Sequence, residues 1–149
     1  MTVWQNEEAA IRVLIVDDNL DVLDSLHALF ELAGFTVRVT SSGATALASY
    51  LADPVDVVLV DLGMPTMNGF EFVKELRAEA TTPLLIAMTG WARPGDDSAT
   101  NAAGFDHYVT KPVDSDAIEM FIRRRLARAR GLPVPTHRGA AEAVRSAPL

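Results

Sequence analysis

Five side chains in this sequence are of types that could act together chemically: Asp17, Asp18, Asp61, Thr89 and Lys111. Each lies at or just past the end of an apolar run. Ile11-Arg-Val-Leu-Ile-Val16 leads into Asp17-Asp18, Val57-Val-Leu-Val60 into Asp61, and Leu84-Leu-Ile-Ala-Met88 into Thr89. Phe105 to Val109 is followed by Thr110-Lys111-Pro112. Carboxylates converging on one cleft repel, and at close range one of them would be forced to keep its proton. A divalent cation relieves that repulsion. Hard oxygen ligands of this kind suit Mg²⁺, which retains several waters and usually shares its sphere with a phosphate. Lysine adds a positive charge and threonine a hydroxyl donor. Such a set would hold a phosphoryl group on or near a carboxylate. Aspartate can accept one covalently, and phosphoryl transfer asks mainly for positioning and charge neutralisation.

Each residue also has a plainer reading. On its own stretch Asp61 reads equally well as a residue that opens a turn. An Asp-Asp pair before a helix more often caps it, Thr-Gly is commonly a turn, and a lysine before proline is commonly solvated. Their joint appearance at the ends of the first, third, fourth and fifth apolar runs favours a site.

The elements that would position them follow from pattern. Continuous β-branched runs read as strands buried on both faces, as in a parallel sheet, and open α/β sheets bind ligands at the carboxyl ends of their strands. Asn19 can cap a helix with Leu23, Leu26, Phe30 and Ala33 at helical spacing and Gly34 as its stop. Phe35 to Thr40 is a short strand, and Ala44 to Leu51 a helix closed by Asp53-Pro54. Asn68 caps a helix with Phe72, Val73 and Leu76 on its apolar face, and Thr81-Thr82-Pro83 is a break. Asp114 caps a last helix with Ile118, Phe121, Ile122 and Leu126 inward. Between Trp91 and Gly104 the residues are poor helix formers, which predicts a short, late-starting and mobile helix. Strands and helices thus alternate five times, which calls for one parallel sheet with helices on both faces.

The 149 residues, 49% hydrophobic and 22% charged, suit one globular domain. With no cysteine there is no disulfide, thiolate metal site or cysteine nucleophile, which agrees with a cytoplasmic location. No apolar run approaches a membrane span, and the acidic start lacks the features of a signal peptide. A formal charge of −7 argues against nonspecific nucleic-acid binding and agrees with a cation site. The basic run Arg123 to Arg130 ends a helix, where it favours the dipole. Residues 1–10 read as an extension, 11–130 as the domain, and 131–149 as a flexible tail or linker in which Ala140 to Arg145 could form a marginal helical turn.

The sequence resembles the response-regulator receiver domain of two-component signalling. The resemblance covers roughly residues 11–130. It rests on Val-Asp-Asp-Asn after the first strand, Asp61-Leu-Gly-Met-Pro-Thr-Met-Asn-Gly69 after the third, Met88-Thr-Gly90 after the fourth and Tyr108-Val-Thr-Lys-Pro112 at the fifth. It implies a doubly wound, flavodoxin-like (βα)5 fold with strand order 2-1-3-4-5. Asp61 would be the phosphoacceptor, taking its group from a histidine kinase or a histidine phosphotransfer protein. Asp18, Asp61 and the Gly63 backbone carbonyl would bind Mg²⁺ (or Mn²⁺), with Asp17 acting mostly through water. Lys111 would pair with the phosphoryl oxygens, Thr89 would swing to bond them, and Tyr108 would turn inward behind it. The Lys111-Pro112 bond would be cis.

Added charge at Asp61 gives Thr89 and Lys111 a reason to move. The expected output surface is the fourth helix, fifth strand and fifth helix, binding a downstream protein or a second copy, with no output domain, nucleic acid or membrane involved. Gly63 and Trp91 depart from the commonest receivers and flank the phosphoryl group in the family. The Thr-Gly-Trp and Ala-Gly-Phe-Asp-His-Tyr segments are similar to receivers of hybrid sensor kinases; stand-alone single-domain regulators are the other likeness. Two alternatives are an aspartate-nucleophile phosphohydrolase and a pseudo-receiver scaffold that is not phosphorylated. The first usually has an acidic residue two positions after the nucleophile, where this chain has Gly63. The second is disfavoured because all five key residues are present.

Overall fold

A strand made only of aliphatic residues can be stable in water only if both of its faces are covered, and the middle of this sheet is built from such strands. The computed structural model describes residues 10–64, 67–79, 83–90 and 95–134. The first nine residues, the Thr81-Thr82 break, Trp91 with the three residues after it, and the tail from residue 135, including Ala140 to Arg145, lie outside the described residues. The strands are β1 (Arg12–Val16), β2 (Thr36–Thr40), β3 (Val57–Asp61), β4 (Leu84–Thr89) and β5 (His107–Thr110). The helices are α1 (Leu20–Leu32), α2 (Gly43–Ala52), α3 (Gly69–Ala78), α4 (Asp96–Ala103) and α5 (Ser115–Ala129). All strand pairs are parallel and the order is β2-β1-β3-β4-β5. This is the doubly wound order that the resemblance implies.

Burial follows position in the sheet. Every residue of β3 is buried, as are Val13 to Val16 and Leu84 to Met88, whereas the edge strands β2 and β5 are half-exposed. One face packs Leu14, Val16, Val58, Val60, Leu85 and Ala87 with Ala46 and Tyr50 of α2 and Phe72, Val73 and Leu76 of α3. On α1, Leu23, Leu26 and Phe30 are buried, and Phe30 lies against Phe35 with ring centroids 5.4 Å apart. Gly34 adopts φ 99°, so its amide and that of Phe35 reach back to the carbonyls of Glu31 and Phe30. That left-handed turn is what glycine supplies at a helix end. Ala33 itself is only half-buried.

The other helix ends are set as locally. Asn68 accepts from the Glu71 amide while Glu71 accepts from the Asn68 amide, a reciprocal cap. In contrast α4 starts at Gly95, with no side-chain cap, and ends at Gly104 in the left-handed conformation. Arg77 of α3 donates from Nη2 to the Gly104 carbonyl at 2.7 Å, and Phe70 meets Phe105 edge-on.

The fifth strand starts later than its apolar pattern suggests, at His107 and not Phe105. The Phe105 amide closes α4 on the Thr100 carbonyl, and Asp106 takes the Leu85 amide on its carboxylate. At the opposite edge of the sheet from the strand carboxyl ends, Asp53 pairs with both Arg12 and Arg38, which raises the pKa of the Arg12 guanidinium and lowers that of the Asp53 carboxyl.

The chain divides between Val113 and Asp114 into two compact units. In the second, Asp114 caps α5 by accepting from the Asp116 and Ala117 amides. Ile118 and Ile122 are buried as expected, but Phe121 and Leu126 are only half-buried. Phe121 instead lies under the Arg125 guanidinium, 5.8 Å from the ring centroid. Arg123 pairs with the buried Glu119 one turn earlier at 2.8 Å. Among the described residues no helix is long and apolar enough to cross a membrane.

Candidate functional site

Parallel strands place all their carboxyl ends on one edge, and the register of this sheet collects the candidate residues there. Asp61 is the last residue of β3 and sits beside Met88, one residue before Thr89 closes β4. Thr89 pairs with Thr110, and the Lys111 amide donates to the Thr89 carbonyl at 2.7 Å. Asp17 follows directly on β1, and its amide continues the ladder to the Thr40 carbonyl.

The acidic side chains converge. One carboxylate oxygen from each of Asp17, Asp18 and Asp61 lies within 4.8 Å of the others. Asp17 has no exposed surface, Asp61 is 7% exposed, and Asp18 is open to solvent. Lys111 Nζ stands 2.6 Å from Asp17 Oδ2 and 3.4 Å from Asp61 Oδ2. The other oxygens are held by backbone donors: the Asn19 amide donates to Asp17 Oδ1 at 2.9 Å, and the Gly63 amide to Asp61 Oδ1 at 3.1 Å. A buried carboxylate needs such partners.

Electrostatics follow from this placement. Burial pushes the Asp61 carboxyl above its ordinary pKa, with the Asp17 charge adding to the rise and the Gly63 amide and Lys111 opposing it. For Lys111, burial disfavours the charge. The hydrogen bond that Lys111 donates to Asp17 and the charges of Asp61 and Asp17 together outweigh burial, so its pKa is raised. One ammonium faces three carboxylates, so negative charge is in excess at this edge. Clustered carboxylate oxygens, one of them solvent-facing, fit a hard divalent cation that keeps part of its water shell.

Thr89 is half-buried at the same edge. Tyr108 is not drawn into the cluster: it lies on β5 opposite Ala87, half-buried against the apolar core. It also lines a cavity of about 360 Å³ with Thr100, Asn101, Phe105, Asp106 and His107. The Lys111-Pro112 peptide is cis. At Gly63 an added Cβ would come only to 3.8 Å from Asp61 Oδ1, so glycine there leaves the approach to the carboxylate open. Trp91 lies outside the described residues.

Two contributors are absent from the sequence reading. Asn19 reads as a helix cap, and it is one, accepting from the Asp21 and Val22 amides; its own amide also orients Asp17. Gly69 reads only as the residue after the Asn68 cap, yet a Cβ there would lie 2.9 Å from the Asp61 carbonyl oxygen, so α3 can begin against the acceptor strand only with glycine.

Residues 13–123 match the response regulator receiver domain family. Among curated relatives, the regulatory protein AtoC of Escherichia coli (strain K12) is 36% identical over 115 residues, covering 77% of this chain and 25% of AtoC. The response regulator SaeR of Staphylococcus aureus (strain USA300) is 32% identical over 117 residues, covering 78% of this chain and 51% of SaeR. The match thus spans a quarter to about half of these relatives. Among solved structures, chemotaxis protein CheY4 of Vibrio cholerae aligns with TM-score 0.73 and 28% identity over 78% of this chain and 98% of that one. A CheY-like receiver domain protein of Methanospirillum hungatei JF-1 aligns with TM-score 0.75 and 27% identity over 82% and 98%. With family match, sheet order and acidic edge in agreement, the chain belongs to the response regulator receiver domain family.

Proposed function

We propose that this chain is a phosphoacceptor module of a two-component phosphorelay, with Asp61 as the residue that takes the phosphoryl group. The observation that carries the reading is Asp61 Oδ2, 3.4 Å from the Lys111 ammonium, beside two further carboxylates at the open edge of the sheet. The donor is a phosphohistidine of a histidine kinase or histidine phosphotransfer protein. A carboxylate oxygen of Asp61 attacks phosphorus as the phosphorus–nitrogen bond breaks, and the electron pair of that bond returns to the imidazole. The Gly63 amide holds Oδ1, which leaves Oδ2 to react on the side facing Lys111. Lys111 neutralises charge on the transferred group, and the Thr89 hydroxyl supplies a donor to it.

Asp18, Asp61 and the Gly63 carbonyl, with Asp17 through water, would hold Mg²⁺ or Mn²⁺, which supplies further charge neutralisation to the phosphoryl oxygens. The acyl phosphate is a switch and not a step in turnover of a substrate. Thr89 and Tyr108 respond to it, and the cavity beside Tyr108 gives that ring room to change rotamer. The change passes to α4 and β5, and output runs through protein contacts in the cytoplasm.

Intact mass after incubation with Mg²⁺ and a small phosphodonor tests this. The expected result is a gain of one phosphate that Asp61→Asn abolishes. No adduct with any donor overturns the reading in favour of an unphosphorylated scaffold, and many turnovers of a generic phosphate ester overturn it in favour of a phosphohydrolase.

A further inference from the structure

Asp17 is the most enclosed carboxylate of the acidic edge, and both of its oxygens are engaged. The Asn19 amide donates to Oδ1 at 2.9 Å, and Lys111 Nζ stands 2.6 Å from Oδ2. Apart from that ammonium, Oδ2 has no polar partner among the described residues, and solvent does not reach it. Lys111 is therefore seated on Asp17 in preference to Asp61, whose Oδ2 lies 3.4 Å away. A buried carboxylate oxygen is costly to leave bare, so the ammonium can leave Asp17 only when another cation takes over its charge.

Asp17 and Asp61 are also two of the three carboxylates that cluster with Asp18. The ammonium and a divalent cation would thus draw on shared groups. A double and a single positive charge about 5 Å apart repel by the equivalent of roughly tenfold in affinity, even at the dielectric constant of bulk water. With Asp18 open to solvent and Lys111 partly exposed, that bulk value is the floor.

We propose that Lys111 is a charge gate on this site: seated on Asp17 it holds divalent-cation affinity down, and it yields that seat and turns to Asp61 once a cation is bound. On the reading of Asp17, Asp18 and Asp61 as a metal and phosphoryl site, on which this inference rests, the gate imposes an order. The Lys111 amide is fixed to the Thr89 carbonyl at 2.7 Å, so the movement belongs to the side chain alone. Lys111 closes on the acceptor only after the excess negative charge beside it has been met.

Calorimetric titration of the full chain with Mg²⁺ alone tests this in wild type, Lys111→Met and Lys111→Arg. Lys111→Met, similar in length but uncharged, is expected to bind Mg²⁺ about tenfold more tightly than wild type. Lys111→Arg keeps the charge and should stay near wild type. Equal or weaker binding by Lys111→Met overturns the inference. An equal gain in Lys111→Arg also overturns it, because bulk and not charge would then be holding the cation off. A second measurement needs wild type alone and decides the matter should Lys111→Met not fold. The one other lysine of the chain, Lys74, is exposed on α3 and serves as an internal reference for acylation by a small amine reagent, read peptide by peptide by mass. Saturating Mg²⁺ should raise labelling of Lys111 relative to Lys74 severalfold as the amine leaves its seat; an unchanged ratio overturns the inference. If neither wild type nor Lys111→Met takes up Mg²⁺, the metal reading fails and this inference with it, whereas equal uptake by both overturns the inference alone.

Discussion

Lys111 and Asp17 form the tightest charge pair at the acidic edge, and Asp17 has no exposed surface at all. Truncating the lysine leaves that carboxylate buried without its cation, a change that costs on the order of 3 kcal/mol. Lys111→Ala is therefore expected to lower the urea unfolding free energy by about that amount in metal-free buffer. Asp61 behaves oppositely. Burial raises its pKa above that of the unfolded chain, so the folded form keeps a proton over a range where the unfolded form has released it. Stability then falls as pH rises through that range, and above it the ionised carboxylate destabilises the metal-free fold. Asp61→Asn should raise the urea midpoint at neutral pH, and the gain should shrink as pH drops below the ordinary carboxylate range.

Asp61, Asp18 and Lys111 were legible in the sequence because each ends an apolar run. The depth of Asp17 and the second use of Asn19 were not, since both depend on which strand ends become neighbours.

Among the elements, those whose patterns are local came through nearly whole. Buried runs became central strands, and Asn19, Asn68 and Asp114 all cap the helices they precede. Errors arose where a tertiary bond outweighed the pattern, as when Phe105 and Asp106 were diverted from β5 to close α4 and to hold Leu85. The weak helix is short, as its composition suggests, and Arg77 of α3 holds the Gly104 carbonyl at its end. Arg77→Ala should speed amide exchange of residues 98–105 by roughly tenfold, the equivalent of about 1.4 kcal/mol of lost protection, with β3 and β4 unchanged. Equal rates in both proteins would show that Arg77 does not restrain α4.

For the whole molecule, charge is distributed unevenly. Asp53 pairs with Arg12 and Arg38 at one edge of the sheet, while the strand carboxyl ends keep an excess of carboxylate over lysine. A cation that binds only the folded chain must stabilise it, so Mg²⁺ at a hundredfold above its dissociation constant should add about 2.7 kcal/mol to the unfolding free energy. Ca²⁺-free, Mg²⁺-titrated urea melts measure this, and a midpoint indifferent to Mg²⁺ would contradict a site at this edge. The parallel sheet was legible at this scale because alternation and short connections leave few topologies, whereas its strand order followed only from the resemblance to the receiver family.

The grip of Arg77 on Gly104 has one more consequence. Helix α3 begins against the carbonyl of Asp61 and, about 12 Å farther along at 1.5 Å per residue, holds the carboxyl end of α4. It is thus a strut with one foot on the acceptor strand and the other on the weakest helix. Under the proposed function, a displacement of the Asp61 backbone would be carried along this rod to the carboxyl end of α4. Drawn at that end alone, α4 would tilt and not slide.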